Sequence, residues 1–331
     1  MLSYLLTTLL FFTPTSETLQ DTVVIKEWIV PYEESRPRDP FVAPDGTVWF
    51  VGQRTGYAAS LNPTSGTFRK FDLGTGAGPH NLIVDDQGMV WYAGNTRGHI
   101  GRLDPTTGAI TKYPMPDPAA RDPHTLVFDH NGDIWFTVQG GNFVGKLTTR
   151  TGLIELMAPT ATGARPYGIV IDSENRPWIA LFGTNKLATV KQGDRTLTEI
   201  DLPRADARPR RIQITSDDKV WYVDYRGGFL GRYDPESGLF KEWPMPNGTS
   251  ARPYGMAVDA DDRLWFVETG PKPNQFTGFD SKTESFIPGV AVPSGGGSVR
   301  HMFYQSEANE IWFGTDANTI GRARLPDSRP L

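Results

Sequence analysis

The sequence predicts an all-β fold, a seven-bladed propeller built from four-stranded blades. Three observations predict it. Tryptophans recur at Trp49, Trp91, Trp135, Trp178, Trp221, Trp265 and Trp312, spaced 42 to 47 residues apart. Each closes a repeated phrase, an apolar run followed by a polar turn, as in LIVDDQGMVW, IVIDSENRPW and MAVDADDRLW. A surplus strand stands at one end of the chain and a missing one at the other. A period of about 43 residues carrying four short strands is the mark of propeller blades.

Each element of the period follows from its residues. The apolar run before the polar turn reads as the first strand, and the tryptophan stretch as the second. A Gly-rich turn leads to a third strand such as HIGRLDP or FLGRYDP. An Asp-Pro-x-x-Gly type turn then gives a fourth, such as AITKYPMP or LFKEWPMP. No convincing 3.6-residue periodicity argues for helices. Residues 24–31 (VIKEWIVP) read as a fourth strand, while the chain ends after IGRARLP, a third strand. The N-terminal strand is therefore expected to complete the blade of Trp312, which would leave the ring without an open edge. The tryptophans themselves read as scaffold between blades.

Composition agrees and excludes several functions. The 331 residues include 35 Gly and 27 Pro, with 21% charged, as suits many short strands and tight turns. The formal charge of −5 does not point to nucleic acid. With no Cys, disulfides, thiolate metal sites and cysteine nucleophiles are out. Met1–Phe12 is apolar and uncharged, too short to span a bilayer and suited to an export-signal core. Residues 1–20 are thus read as a signal peptide and 21–331 as the propeller, periplasmic or secreted, without a membrane span and monomeric.

The functional signal lies where the first strands begin. Eleven residues before the tryptophans stand Arg38, His80, His124, Tyr167, Arg210, Tyr254 and His301. Six follow a proline, which fixes the backbone and donates to no ladder, as suits a strand's first residue; Arg300 precedes the seventh. Three of the chain's five histidines fall on this ring, with two arginines, two tyrosines and no aliphatic residue. Further arginines at Arg36, Arg165, Arg208 and Arg252 make a locally cationic mouth, suited to an anionic or carbonyl-rich small molecule. The second strands return to this mouth and bring carboxylates only on the last three blades, Asp224, Glu268 and Asp316. Each carboxylate is placed to reach a metal or a ring residue, or to neutralise an arginine. His301 with Asp316, in one blade, is the expected functional couple.

At these residues the chain resembles the virginiamycin B lyase (streptogramin lyase) family over nearly all of residues 24–325, through its R-P-Y/H-G-I, W-F and I-G-R-L phrases. The resemblance implies magnesium-assisted elimination across an ester, opening a cyclic depsipeptide. It also implies a Glu-Pro-His at the start of the last blade and a second acid at the end of that blade's second strand. Val299-Arg300-His301 stands in the first place and Asp316 in the second. His301 is then the expected proton-handling residue, with Asp316, and more weakly Glu268, as magnesium ligands. Arg38, His80, His124, Tyr167, Arg210 and Tyr254 would bind substrate. Val299 replaces a metal-holding glutamate, and Tyr254 stands where the preceding blade's histidine is expected.

Three readings follow. One is a C–O lyase acting on an ester-type or anionic substrate. Another is a non-catalytic ligand-binding or sensing propeller using the same mouth. The third, a calcium-dependent lactonase-type hydrolase, would want several Asp, Glu and Asn residues on the axis, where this ring is cationic.

Overall fold

A computed structural model describes residues 22–191 and 193–326; the expected signal peptide lies outside them. The chain forms seven four-stranded antiparallel sheets, each with strands in sequence order except the one that closes the ring. That sheet joins Val299–Gln305, Glu310–Thr315 and Thr319–Arg324 to the N-terminal strand Val24–Ile29. Its register runs from Val24 opposite Arg324 to Ile29 opposite Thr319. The surplus strand therefore does what the sequence leads one to expect, and Trp28 stacks on Trp312 at 5.4 Å. Among the described residues, no helix is long and apolar enough to cross a membrane.

The repeated phrase is explained by its hydrogen bonds. In the blade of Trp178 the Asp172 carboxylate accepts the turn N–H groups of Glu174 and Arg176 and the indole N–H of Trp178, the last at 2.8 Å. Asp85 with Trp91 and Asp259 with Trp265 repeat this, each indole bond 2.8 Å long. One acid thus ties the hairpin and satisfies a tryptophan that would otherwise bury an unpaired donor. The glycine of the third strand serves the same packing. A Cβ on Gly231 would lie 2.1 Å from the Tyr222 ring, and one on Gly321 2.3 Å from Phe313. Between blades the aromatic face of one sheet meets the apolar face of the next, as where Trp221 joins Met256, Leu264 and Phe266 in one buried cluster.

The innermost strands run down the axis from one mouth. Six begin with a proline, and the seventh, Val299–Gln305, begins with fully buried Val299. Below them lies an axial cavity of about 450 Å³ lined by side chains from all seven innermost strands. Its hairpin-end lining residues Phe128, Val170 and Val258 are partly exposed where the strand starts are buried, so it opens toward the hairpin side. The strand starts therefore hold the polar ring, and the rest of each strand walls the cavity.

Candidate functional site

The structure gathers six of the seven ring residues into a plug across the axis. His80 and His124 lie ring to ring at 3.5 Å, and His124 lies 4.2 Å from Tyr167. The hydroxyls of Tyr167 and Tyr254 share a short hydrogen bond. The Arg210 guanidinium sits 3.7 Å over the Tyr254 ring and 4.3 Å over Tyr225, with Phe182 at 4.7 Å. Arg38, His80, His124, Tyr167 and Tyr254 are buried, while Arg210 remains partly exposed. The ring is thus a packed layer rather than an open rim.

His301 is the seventh, and it does not sit in that layer. Trp49, Trp91 and Trp265 pair with Phe41, Ile83 and Ala257, eight residues earlier. Trp312 pairs with Phe303, nine residues earlier, because the last hairpin holds an extra residue around the short 3-10 turn Ser306–Ala308. Val299, opposite Thr315, takes the place of the prolines that face Gly52 or Glu268. Arg300 is therefore the true counterpart of His80. His301 falls one step further in, level with Asp39, Asn81, Thr125 and Arg211, where it faces the axial cavity.

This shift breaks the expected couple of His301 with Asp316. Arg300 donates to both carboxylate oxygens of Asp316, the second bond at 2.6 Å, and Arg36 lies 3.5 Å from it. The charges acting on His301 are instead those of Arg211, Asp39 and Arg38. Burial first, then Arg211, pulls the imidazole down to about 3. Such a group stays neutral at pH 7 but is a weak base. The other carboxylates have local work too. Asp224, fully buried, accepts Arg204 at 2.7 Å and three backbone N–H groups. Glu268, also fully buried, accepts Asn247, and burial raises it above the usual carboxylate range.

The acid that matters at the axis is one that the offset count passes over. Asp39 is fully buried and accepts Arg38 Nε at 3.0 Å and Asn81 Nδ2 at 3.1 Å. Arg211 Nη2 stands 3.6 Å away, an ion-pair distance too long for a hydrogen bond. Burial would raise the Asp39 carboxyl, but Arg38, His301 and Arg211 hold it far below the ordinary range. Arg211 is itself anchored, its Nε donating to Arg300 O at 2.9 Å and Nη1 to Thr125 Oγ1 at 3.1 Å. Both residues were legible in part. Asp39 is the sole acid among the first strands, and Arg210-Arg211 is the one place where two arginines stand together at a strand start.

In and just below the plug, several buried nitrogens lack hydrogen-bond partners. Arg38 Nη2, Arg211 Nη2, His80 Nδ1, His124 Nε2 and His301 Nδ1 are buried without hydrogen-bond partners. Loss of water, followed by the neighbouring arginines, holds His80 and His124 well below the ordinary histidine range, so both are neutral. Two guanidiniums, Arg38 and Arg211, pair with the one axial carboxylate of Asp39, and a third, Arg210, lies over the tyrosines. Burial opposes ionisation of Tyr167, but Arg210, Arg211 and Arg38 outweigh it and lower its phenol, while the buried partner Tyr254 is raised.

These residues do not fit a magnesium site. A hard dication wants several free oxygen ligands. Asp316 is held by two arginines, Glu268 by Asn247, and Val299 offers no oxygen. Among the described residues, no three His, Cys, Asp or Glu side chains are placed to hold a metal.

A closed seven-bladed propeller with a polar plug at the strand starts defines the class. The profile of the virginiamycin B lyase family matches residues 16–190 and 154–326, and the chain belongs to that family. Among solved structures it is similar to a streptogramin B lyase, with 26% identity and a TM-score of 0.83, covering 93% of this chain and 100% of that one. A virginiamycin B lyase from Staphylococcus aureus is 25% identical at TM-score 0.82, covering 92% and 99%. A catalytically inactive histidine-to-alanine variant of that enzyme with quinupristin is similar at 26% identity and TM-score 0.82, covering 92% of this chain and 99% of that one. No curated protein matches the sequence.

Proposed function

We propose that the chain binds an anionic, ester-type small molecule at the mouth formed by Arg210, the Tyr167–Tyr254 pair and the arginine rim, without a bound metal. The observation that carries this is the charge balance of the plug: three guanidiniums and the single carboxylate of Asp39, with Arg38 Nη2 and Arg211 Nη2 making no hydrogen bond. Buried cations without counter-charges are costly, and a ligand carboxylate or ester carbonyl relieves that cost. Arg210, framed by Tyr254, Tyr225 and Phe182, is the group best placed to meet such a ligand from outside. Tests should pair quinupristin, simple lactones and oligogalacturonates with calorimetry and product analysis, before and after chelation. Binding that survives chelation supports the reading, and a panel with no binder contradicts it.

Catalysis is the second reading, favoured by family membership and by Tyr167. The lowered Tyr167 phenol, beside Tyr254 and under Arg210, is the group suited to act as base. Its phenolate would take the proton next to an ester-bearing carbon. The C–H pair would become the new C=C bond, the C–O bond would break, and the leaving oxygen would depart as a carboxylate onto an arginine. Substitution of Tyr167 by Phe should then abolish turnover even at saturating substrate. Metal-assisted elimination through His301 and Asp316, and a calcium lactonase, are the readings this donor set favours least.

A further inference from the structure

The axial cavity below the plug belongs to neither reading. Its walls are apolar, with Leu82, Ile169, Ile212, Met256 and Phe303 among them. Its inner end is polar, where Arg211, His301 and Thr125 border the same space. Arg211 is buried, with Nη2 lacking a hydrogen-bond partner, and the same holds for His301 Nδ1. The volume of about 450 Å³ lies within the range of small-molecule sites, roughly 300–1,000 Å³. A cavity with apolar sides and a cationic, donor-rich end is complementary to one kind of molecule.

We infer that this cavity is a second binding site, taking a small amphipathic anion whose carboxylate meets Arg211 and His301 while its apolar body lies along the wall. Arg211 supplies the charge and His301 a neutral donor. Arg211 Nε and Nη1 are already committed to Arg300 O and Thr125 Oγ1, so the guanidinium is held with only Nη2 making no hydrogen bond. Asp39 Oδ2 lies 3.6 Å from that same Nη2, an ion-pair distance too long for a hydrogen bond, so it steadies the charge while the N–H groups stay unspent. Because the cavity opens on the hairpin side, its ligand need not compete with one at the opposite mouth.

Calorimetry with octanoate and octanol, two probes of equal chain length that differ in the charged head, tests this directly. Octanoate should bind one per chain and at least tenfold more tightly than octanol. Val258→Trp, at the hairpin end of the cavity wall, should abolish octanoate binding by filling the space. Arg211→Gln should remove the preference for octanoate, with a melting curve confirming that the variant is folded. Arg210→Gln, on the far side of the plug, should leave octanoate affinity unchanged. Equal affinity for the two probes, no octanoate binding at all, octanoate binding that survives Val258→Trp, or its loss in Arg210→Gln would each overturn the inference.

Discussion

Asp39 shows how one residue sets the character of this axis. It adopts a left-handed backbone conformation, φ 50°, which a non-glycine residue holds only when its surroundings enforce it. What enforces it is the pair with Arg38 and the contacts with Asn81 and Arg211. Substitution of Asp39 by Asn leaves two buried guanidiniums uncompensated, and should lower unfolding stability by about 3 kcal/mol in denaturant titration. The axial histidines, two in the plug and His301 beneath it, make a separate prediction. His80, His124 and His301 bind protons less readily in the folded state than in the unfolded chain, whose histidines titrate near about 6.5. Between that value and the folded one, the unfolded state holds more protons. Stability is therefore intact above about pH 6.5 and falls as the solution is acidified, by up to about 1.4 kcal/mol per pH unit for each histidine. Urea midpoints between pH 7.5 and 5 should show that fall; a flat profile would mean that the histidines are not held neutral.

Strands and hairpins account for most of what could be foreseen. The seven tryptophans, the acid turn before them and the glycine of the third strand each serve a definite contact, so the blade period was readable. So was ring closure, because one strand was left over at one end and one lacking at the other. The site was readable in composition but not in pairing. A count from the tryptophans assumes equal hairpins, and the last hairpin has one residue more. That single insertion brings Arg300 opposite Asp316 and sends His301 inward. Aligning Met302 with Met256, rather than counting from Trp312, would have exposed it. At this scale, Asp172→Ala should cost about 1–3 kcal/mol by leaving the Trp178 indole and two turn N–H groups unpaired. Gly231→Ala should cost a similar amount, about 1–3 kcal/mol, by forcing Tyr222 from its place. Thermal and urea unfolding of the two variants measures both.

On the scale of the molecule, an acidic chain concentrates arginines at one end of its axis and apolar walls at the other. The scaffold is that of the virginiamycin B lyase family, yet the acids that the family resemblance implies for a metal are here replaced, buried or engaged by arginine. The central claim is that the arginine-rich mouth recognises an anionic, ester-type ligand on its own. The most direct test is the dissociation constant of the tightest-binding panel compound, measured with and without chelator and again in Arg210→Gln. That constant should be unchanged by chelation and weakened by about 10–100-fold in the variant, the equivalent of about 1.5–3 kcal/mol for a charged hydrogen bond. Binding that disappears on chelation and returns with magnesium, with Arg210→Gln equal to wild type, would contradict the claim.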